Sequence, residues 1–145
     1  VSVLGRGVAK PRRGLRTMAK VKTFTTATDA GEHVISEANG RASRDEVTLA
    51  AQIVGFVIQP GTVMGKVTAT GHYVPHAPAA GDGSQNADGI SFSRVEFEKN
   101  ATRRGVNHSR DSEVNGKKLV WAAGITGPQK TAAITALAAK GVLVR

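Results

Sequence analysis

Apolar and polar residues alternate most densely between Ile53 and Thr70, and the strand signal there is the strongest in the chain. Ile53-Val54 and Phe56-Val57-Ile58 lead into the turn dipeptide Pro60-Gly61, after which Thr62 to Thr70 (TVMGKVTAT) runs with period two. Val63 and Val67 fall on one face and Met64, Lys66 and Thr68 on the other, a mixed polarity that predicts an outer sheet. Ile90 to Glu98 (ISFSRVEFE) alternates too, but its phase slips at Ser93-Arg94, so a bulge or two short strands are expected. His33 to Ser36 and Val47 to Ala51 are shorter candidates, separated by the hairpin dipeptide Asn39-Gly40 and a charged, exposed Arg41 to Glu46. Pro75 to Gly89 reads as an irregular surface loop. Asn100 to Arg110 is polar, with Val106 its one large apolar residue.

The period changes to that of a helix only once, within Glu113 to Arg145. Ala133, Ile134, Leu137 and Ala138 share a face at the 3, 4 spacing. Thr126 and Gln129 have the spacing of a capping box, and Pro128 lies in the first turn, where its missing N–H costs nothing. Gly141 follows Lys140 as a left-handed stop. Asn115-Gly116 predicts a hairpin turn, and Leu119-Val120-Trp121 and Val142-Leu143-Val144 are the strands expected to receive this Ala-rich helix. The pattern describes a β-rich single domain with one helix.

Composition narrows the classes. A chain of 145 residues is one domain long. It has no cysteine, which removes disulfides and thiolate metal sites. Its longest apolar runs fall far short of a membrane span, and no apolar block follows the basic N-terminus as in a secretory signal. The net charge of +9 is unevenly spread: residues 1–17 hold Arg6, Lys10, Arg12, Arg13 and Arg16 without an acid, so +5 lies there and +4 in 18–145. Residues 1–17 are expected to be a disordered basic extension, with Met18-Ala19-Lys20 as the natural start; a basic arm touching DNA or another anion is the alternative. Val21 to Ala30 (VKTFTTATDA) has β propensity but too little apolar surface to bury itself, so it reads as an arm awaiting a partner.

The candidate chemistry is thin. Asp82, Ser84, Asn86 and Asp88 alternate like the start of a calcium loop, yet Ala87 stands where the turn glycine belongs and Ser93 where the bidentate glutamate belongs. His72 and His76 are four apart, but Pro75 and Pro78 forbid the helix that would converge them. His108 and Asp111 with a serine could be written as a triad, without a nucleophile elbow to support it. Gly5-Arg6-Gly7 lacks the rest of a phosphate loop. Arg103, Arg104 and Arg110 could form a basic patch, with no aromatic platform for single strands. Trp121 reads as core or oligomer packing. No catalytic, metal or cofactor residue is assigned.

Five segments carry a resemblance: SEANGRASRDEVTLA (Ser36 to Ala50), PGTVMGKVTATGHYVP (Pro60 to Pro75), DGSQNADGI (Asp82 to Ile90), RDSEVNGKKLVW (Arg110 to Trp121) and ITGPQKTAAITALAAKGVLVR to the end. In this order, over roughly residues 30–145, they resemble the head decoration proteins of tailed bacteriophages, the family of the lambda head decoration protein. The resemblance implies a mainly β, β-clip-like fold with a small α/β portion and one C-terminal helix. It implies a homotrimer on the outer surface of the virion, bound to the major capsid protein, with no cofactor, membrane or specific nucleic acid. The division it suggests is the extension 1–17, a capsid-binding arm 18–40 that includes Phe24, Thr25, Thr26, Val34 and Ile35, and a decoration domain 41–145. Gly105 to Ser109 is more polar here than in the family, which leaves a strand there unsupported. Two other classes stand against this reading: a basic nucleic-acid-binding protein, motivated by the pI of about 10.5, and a small hydrolase or metal enzyme that would need a pocket joining distant His and Asp residues.

Overall fold

The computed structural model describes residues 28–145. The basic extension 1–17, Met18 and the arm residues Phe24, Thr25 and Thr26 lie outside the described residues. Ten short strands and one α-helix follow in the order β1 Val34–Glu37, β2 Arg44–Leu49, β3 Val57–Ile58, β4 Val63–Lys66, β5 Tyr73–Pro75, β6 Ala87–Ser91, β7 Val95–Glu96, β8 Arg103–His108, β9 Ser112–Val114, α1 Gly127–Ala139 and β10 Val142–Val144. The architecture is mainly β with a single C-terminal helix.

Five strands close into a small barrel in the order β2-β5-β4-β6-β8. Beside it β1, β9 and β10 form a three-stranded sheet, with β1 antiparallel and β10 parallel to β9. A parallel pair needs a crossover, and α1 supplies it. The pair β3–β7 stands apart. The phase slip read at Ser93-Arg94 is the break between β6 and β7.

Strand β4 separates two cores. Val63 packs with Ala87, Ile90, Val114, Leu119, Ala133, Leu137 and Val142, while Met64 packs with Val47, Leu49, Ile58, Val95 and Phe97. The outer sheet of mixed polarity expected here is therefore corrected: successive side chains leave opposite faces of a strand, and both faces are covered. Strand β8 corrects the polar loop expected at 100–110. It pairs with β2 over six residues, from Arg44 opposite His108 to Leu49 opposite Arg103, and buries Gly105, Asn107 and His108. A Cβ on Gly105 would stand 3.0 Å from Leu49 Cδ1, so any larger residue there must push the Leu49 side chain aside.

Other expectations are adjusted. Strand β2 begins at Arg44, inside the segment read as a charged loop. β6 begins at Ala87, and His76 and Ser84 are buried, so 75–89 is tucked onto the barrel rather than raised from it. Asn39-Gly40 turns the chain, but β1 and β2 enter different sheets and form no hairpin. Asn115 accepts from the Lys117 N–H (3.0 Å) and caps a 3-10 turn over Gly116–Lys118. Leu119–Trp121 then makes one bridge, Thr62 to Val120, and no strand.

Helix α1 has the expected capping box: Thr126 Oγ1 accepts from the Gln129 N–H, and Gln129 Oε1 accepts from the Thr126 N–H (2.9 Å). Gly141, at φ 85°, stops it in the left-handed region. The buried face is Ala133 and Leu137 flanked by Ala136 and Ile134; Ala138, expected on that face, is exposed. Thr126→Ala is expected to lower stability by about 1 kcal/mol in urea unfolding, because it strands the Gln129 amide and frees the glutamine.

Candidate interaction surfaces

The first surface lies where the chain enters β1. Gly31 adopts φ 76°, donates its N–H to the Phe92 carbonyl (3.0 Å) and accepts from the Val34 N–H (2.9 Å). A Cβ there would lie 2.7 Å from the Phe92 ring, so only glycine lets the entering turn lie flat on that aromatic. His33 follows, 1% exposed, with neither ring nitrogen hydrogen-bonded. Its ring meets His108 edge-on at 5.5 Å, and His108 meets Phe92 at 5.4 Å. His108 Nε2 donates to Glu37 (2.7 Å), and Arg44 grips the same carboxylate through Nε (2.9 Å) and Nη2 (2.5 Å). The Arg44 guanidinium also lies 4.0 Å over Phe92.

This network ties β1 to the barrel strands β2 and β8. Hydrogen bonds from Arg44 and then His108 hold the Glu37 carboxyl down to about 2. Burial, and then the neighbouring His108, hold His33 down to about 4. Val34 and Ile35 occupy β1 itself: Val34 is half-buried opposite Val114, and Ile35 is exposed. Sequence reasoning named neither His33, Glu37, Arg44 nor Phe92 as site residues. The signal available was a histidine directly before a short strand and two residues after a glycine.

The second surface is a hollow of about 220 Å³ walled by Phe56, Ile58, Pro75, His76, Val120 and Trp121. Trp121 is half-buried against the core that holds α1, and Lys130 Nζ lies 5.0 Å over its ring. Among the described residues its indole N–H has no hydrogen-bond partner. His76 donates from Nε2 to the Gln85 carbonyl (2.8 Å), which leaves Nδ1 an unpartnered acceptor.

The remaining candidates are dispersed. Asp82 accepts from the Ser84 N–H (3.0 Å) and hydroxyl (2.5 Å), whereas Asp88 accepts from Tyr73 (2.6 Å) and pairs with Lys140. Among the described residues no three His, Asp or Glu side chains converge as metal ligands. His72 is half-buried, His76 is bonded to the Gln85 carbonyl, and His108 is spent on Glu37. Two arginines of the suggested basic patch are paired, Arg104 with Glu46 (2.8 Å) and Arg110 with Asp45 (2.5 Å). Asp111 is exposed.

Compared with known families, residues 23–142 match the family model described as bacteriophage lambda head decoration protein D. The match runs from just before Phe24 into β10. No curated protein matches the chain.

Proposed function

Because the chain belongs to the bacteriophage lambda head decoration protein family and is thereby a phage capsid decoration protein, we propose that it works as a mechanical cement. In this reading three copies sit together on the outside of the expanded head, hold major capsid subunits to one another and oppose the pressure of packaged DNA. The observation that carries the reading is the family match spanning both the folded domain and the residues just before it. The root of that leading segment is firmly built: Gly31 lies on Phe92, and β1 is paired to β9.

Phe24, Thr25 and Thr26 are the residues we assign to an added strand on the capsid, with backbone pairing giving affinity and alternate side chains giving fit. Val34 and Ile35 anchor that arm at β1. Ordering such an arm costs conformational entropy, so one arm binds weakly, and three arms on one trimer raise the avidity without further contacts.

Undecorated expanded heads test the reading. The full chain should bind them and raise their heat resistance. A chain lacking residues 1–27, with β1 retained, should lose at least about 100-fold in apparent affinity yet keep its fold and self-association. Equal binding by the shortened chain would overturn the assignment of the arm, and failure of the full chain to bind would overturn the function.

A further inference from the structure

The loop between β2 and β3 carries the two most exposed large apolar side chains among the described residues: Ile53 is 74% and Val54 62% exposed, against 54% for Ile35 and less for Val120 and Leu143. The loop is held in that posture. The Gly55 N–H donates to the Phe97 carbonyl (2.8 Å) and the Phe56 N–H to the Ile53 carbonyl (3.1 Å), so the pair is presented rather than dangling. A fixed apolar tip on a soluble surface calls for a cover.

The Trp121 hollow lies on the same chain and lacks an occupant. Its volume of about 220 Å³ is below the ~300–1,000 Å³ of ordinary ligand sites, which suits inserted side chains better than a cofactor. Tip and hollow also match in charge. Residues 50–65 contain no charged side chain and neither do 119–129, in a chain where 31 of 145 residues are Asp, Glu, Lys or Arg (20 + 11). The walls of the hollow carry no Asp, Glu, Lys or Arg, and Lys130 Nζ, 5.0 Å over the Trp121 ring, is the cation beside it, so little charge is stripped of water. The chain's own leading segment is a poor occupant by the same measure: residues 1–27 bring seven Lys and Arg and no acid.

We infer that the Ile53–Val54 loop of one copy seats in the Trp121 hollow of the next copy. Tip and hollow are built from different residues, so the contact is head-to-tail, and in the trimer proposed above it closes into a ring. The inference rests on the trimer proposed above and names the surfaces that make it.

Self-association is measured without capsids, by light scattering and cross-linking. The wild type should be trimeric. Val54→Asp, or Ile53→Asp should the first variant melt early, spoils the tip; Val120→Asp spoils the hollow at a side chain 43% exposed. Each variant, folded by circular dichroism, should weaken association at least about tenfold and run as a monomer. Mixed, the two variants should cross-link as a pair, because one intact tip then meets one intact hollow. A variant that stays trimeric, or a mixture that gives no pair, would overturn the inference while leaving capsid binding by the wild type as a separate result. A monomeric wild type would overturn the trimer itself.

Discussion

Gly65→Ala is expected to destabilise the fold by about 3 kcal/mol or more, at the upper end of the overpacking range. An added Cβ would stand 2.3 Å from the Ser84 carbonyl oxygen, 2.8 Å from its Cα and 2.9 Å from its carbonyl carbon. Relief requires one backbone to move, and both are pinned. Ser84 is 1% exposed, its carbonyl accepts from the Ala77 N–H (3.1 Å), and its own N–H and hydroxyl are bound by Asp82. On the other side β4 is paired to both β5 and β6 while Val63 and Met64 fill the two cores. For a domain of this size the thermal midpoint should fall by about 10 °C or more. Gly127→Ala is the control: nothing lies within 4 Å of its Cβ position, in the first turn of α1. It should be neutral or stabilising by up to ~1 kcal/mol. Urea unfolding followed at Trp121 measures both, and equal midpoints for the two variants would show that the approach of Gly65 to Ser84 is not a constraint.

That close approach marks where the sequence stops being readable. Local signals survive because they are local: the capping box, Pro128 in the first turn and Gly141 locate α1 almost to the residue. The two short strands on either side of Ser93-Arg94 were visible as a change of phase. Strand β8 was not, because the residues it buries are Gly105, Asn107 and His108, and a strand that buries glycine and amide reads as a loop. Strand β4 was read as a strand but placed on an outer sheet: burial on both faces removes the contrast by which period-two reasoning tells inside from outside. Ile53-Val54 looked like the start of a strand, and the apolar pair is instead an exposed tip, since hydrophobicity alone does not separate a core from a contact surface. Of the candidate site residues, the structure places Val34 and Ile35 in β1 and Trp121 at a hollow. The charged and histidine sets drawn from spacing were pulled apart by topology, with His108 taken into a network no motif announces.

That network supplies the second large effect, a loss of stability in acid that proceeds in two steps. A neutral His33 fits its site, and a protonated one would be a buried cation beside His108, with no acceptor for either ring nitrogen among the described residues. The facing carboxylate, Glu37, is already held by Arg44 and His108; the other nearby acid, Glu32, is engaged by Lys118. The unfolded chain takes up this proton near 6.5 and the folded chain near 4, so between those values the unfolded state binds more protons and stability falls as pH falls. The whole step amounts to about 3 kcal/mol, fully present above pH 6.5 and gone by about 4. Glu37 then acts in the next window. Its carboxyl titrates at 4.5 unfolded and about 2 folded, so its contribution is present above 4.5 and is lost toward 2. Its side chain is 23% exposed, and solvent screening reduces that contribution to about 1 kcal/mol. The expected record is a thermal midpoint level between pH 7 and 8, falling by about 10 °C from pH 6.5 to 4 and further below that. His33→Phe keeps a ring beside His108 and removes the proton, so the fall between 6.5 and 4 should disappear while the Glu37 step remains. If His33→Phe loses as much stability as the wild type over that window, some other group carries the acid sensitivity. Hydrogen exchange locates the event: β1 amides should lose protection before those of β4, because His33 stands at the entry to β1 and a cation there loosens the root of the leading segment before the barrel opens.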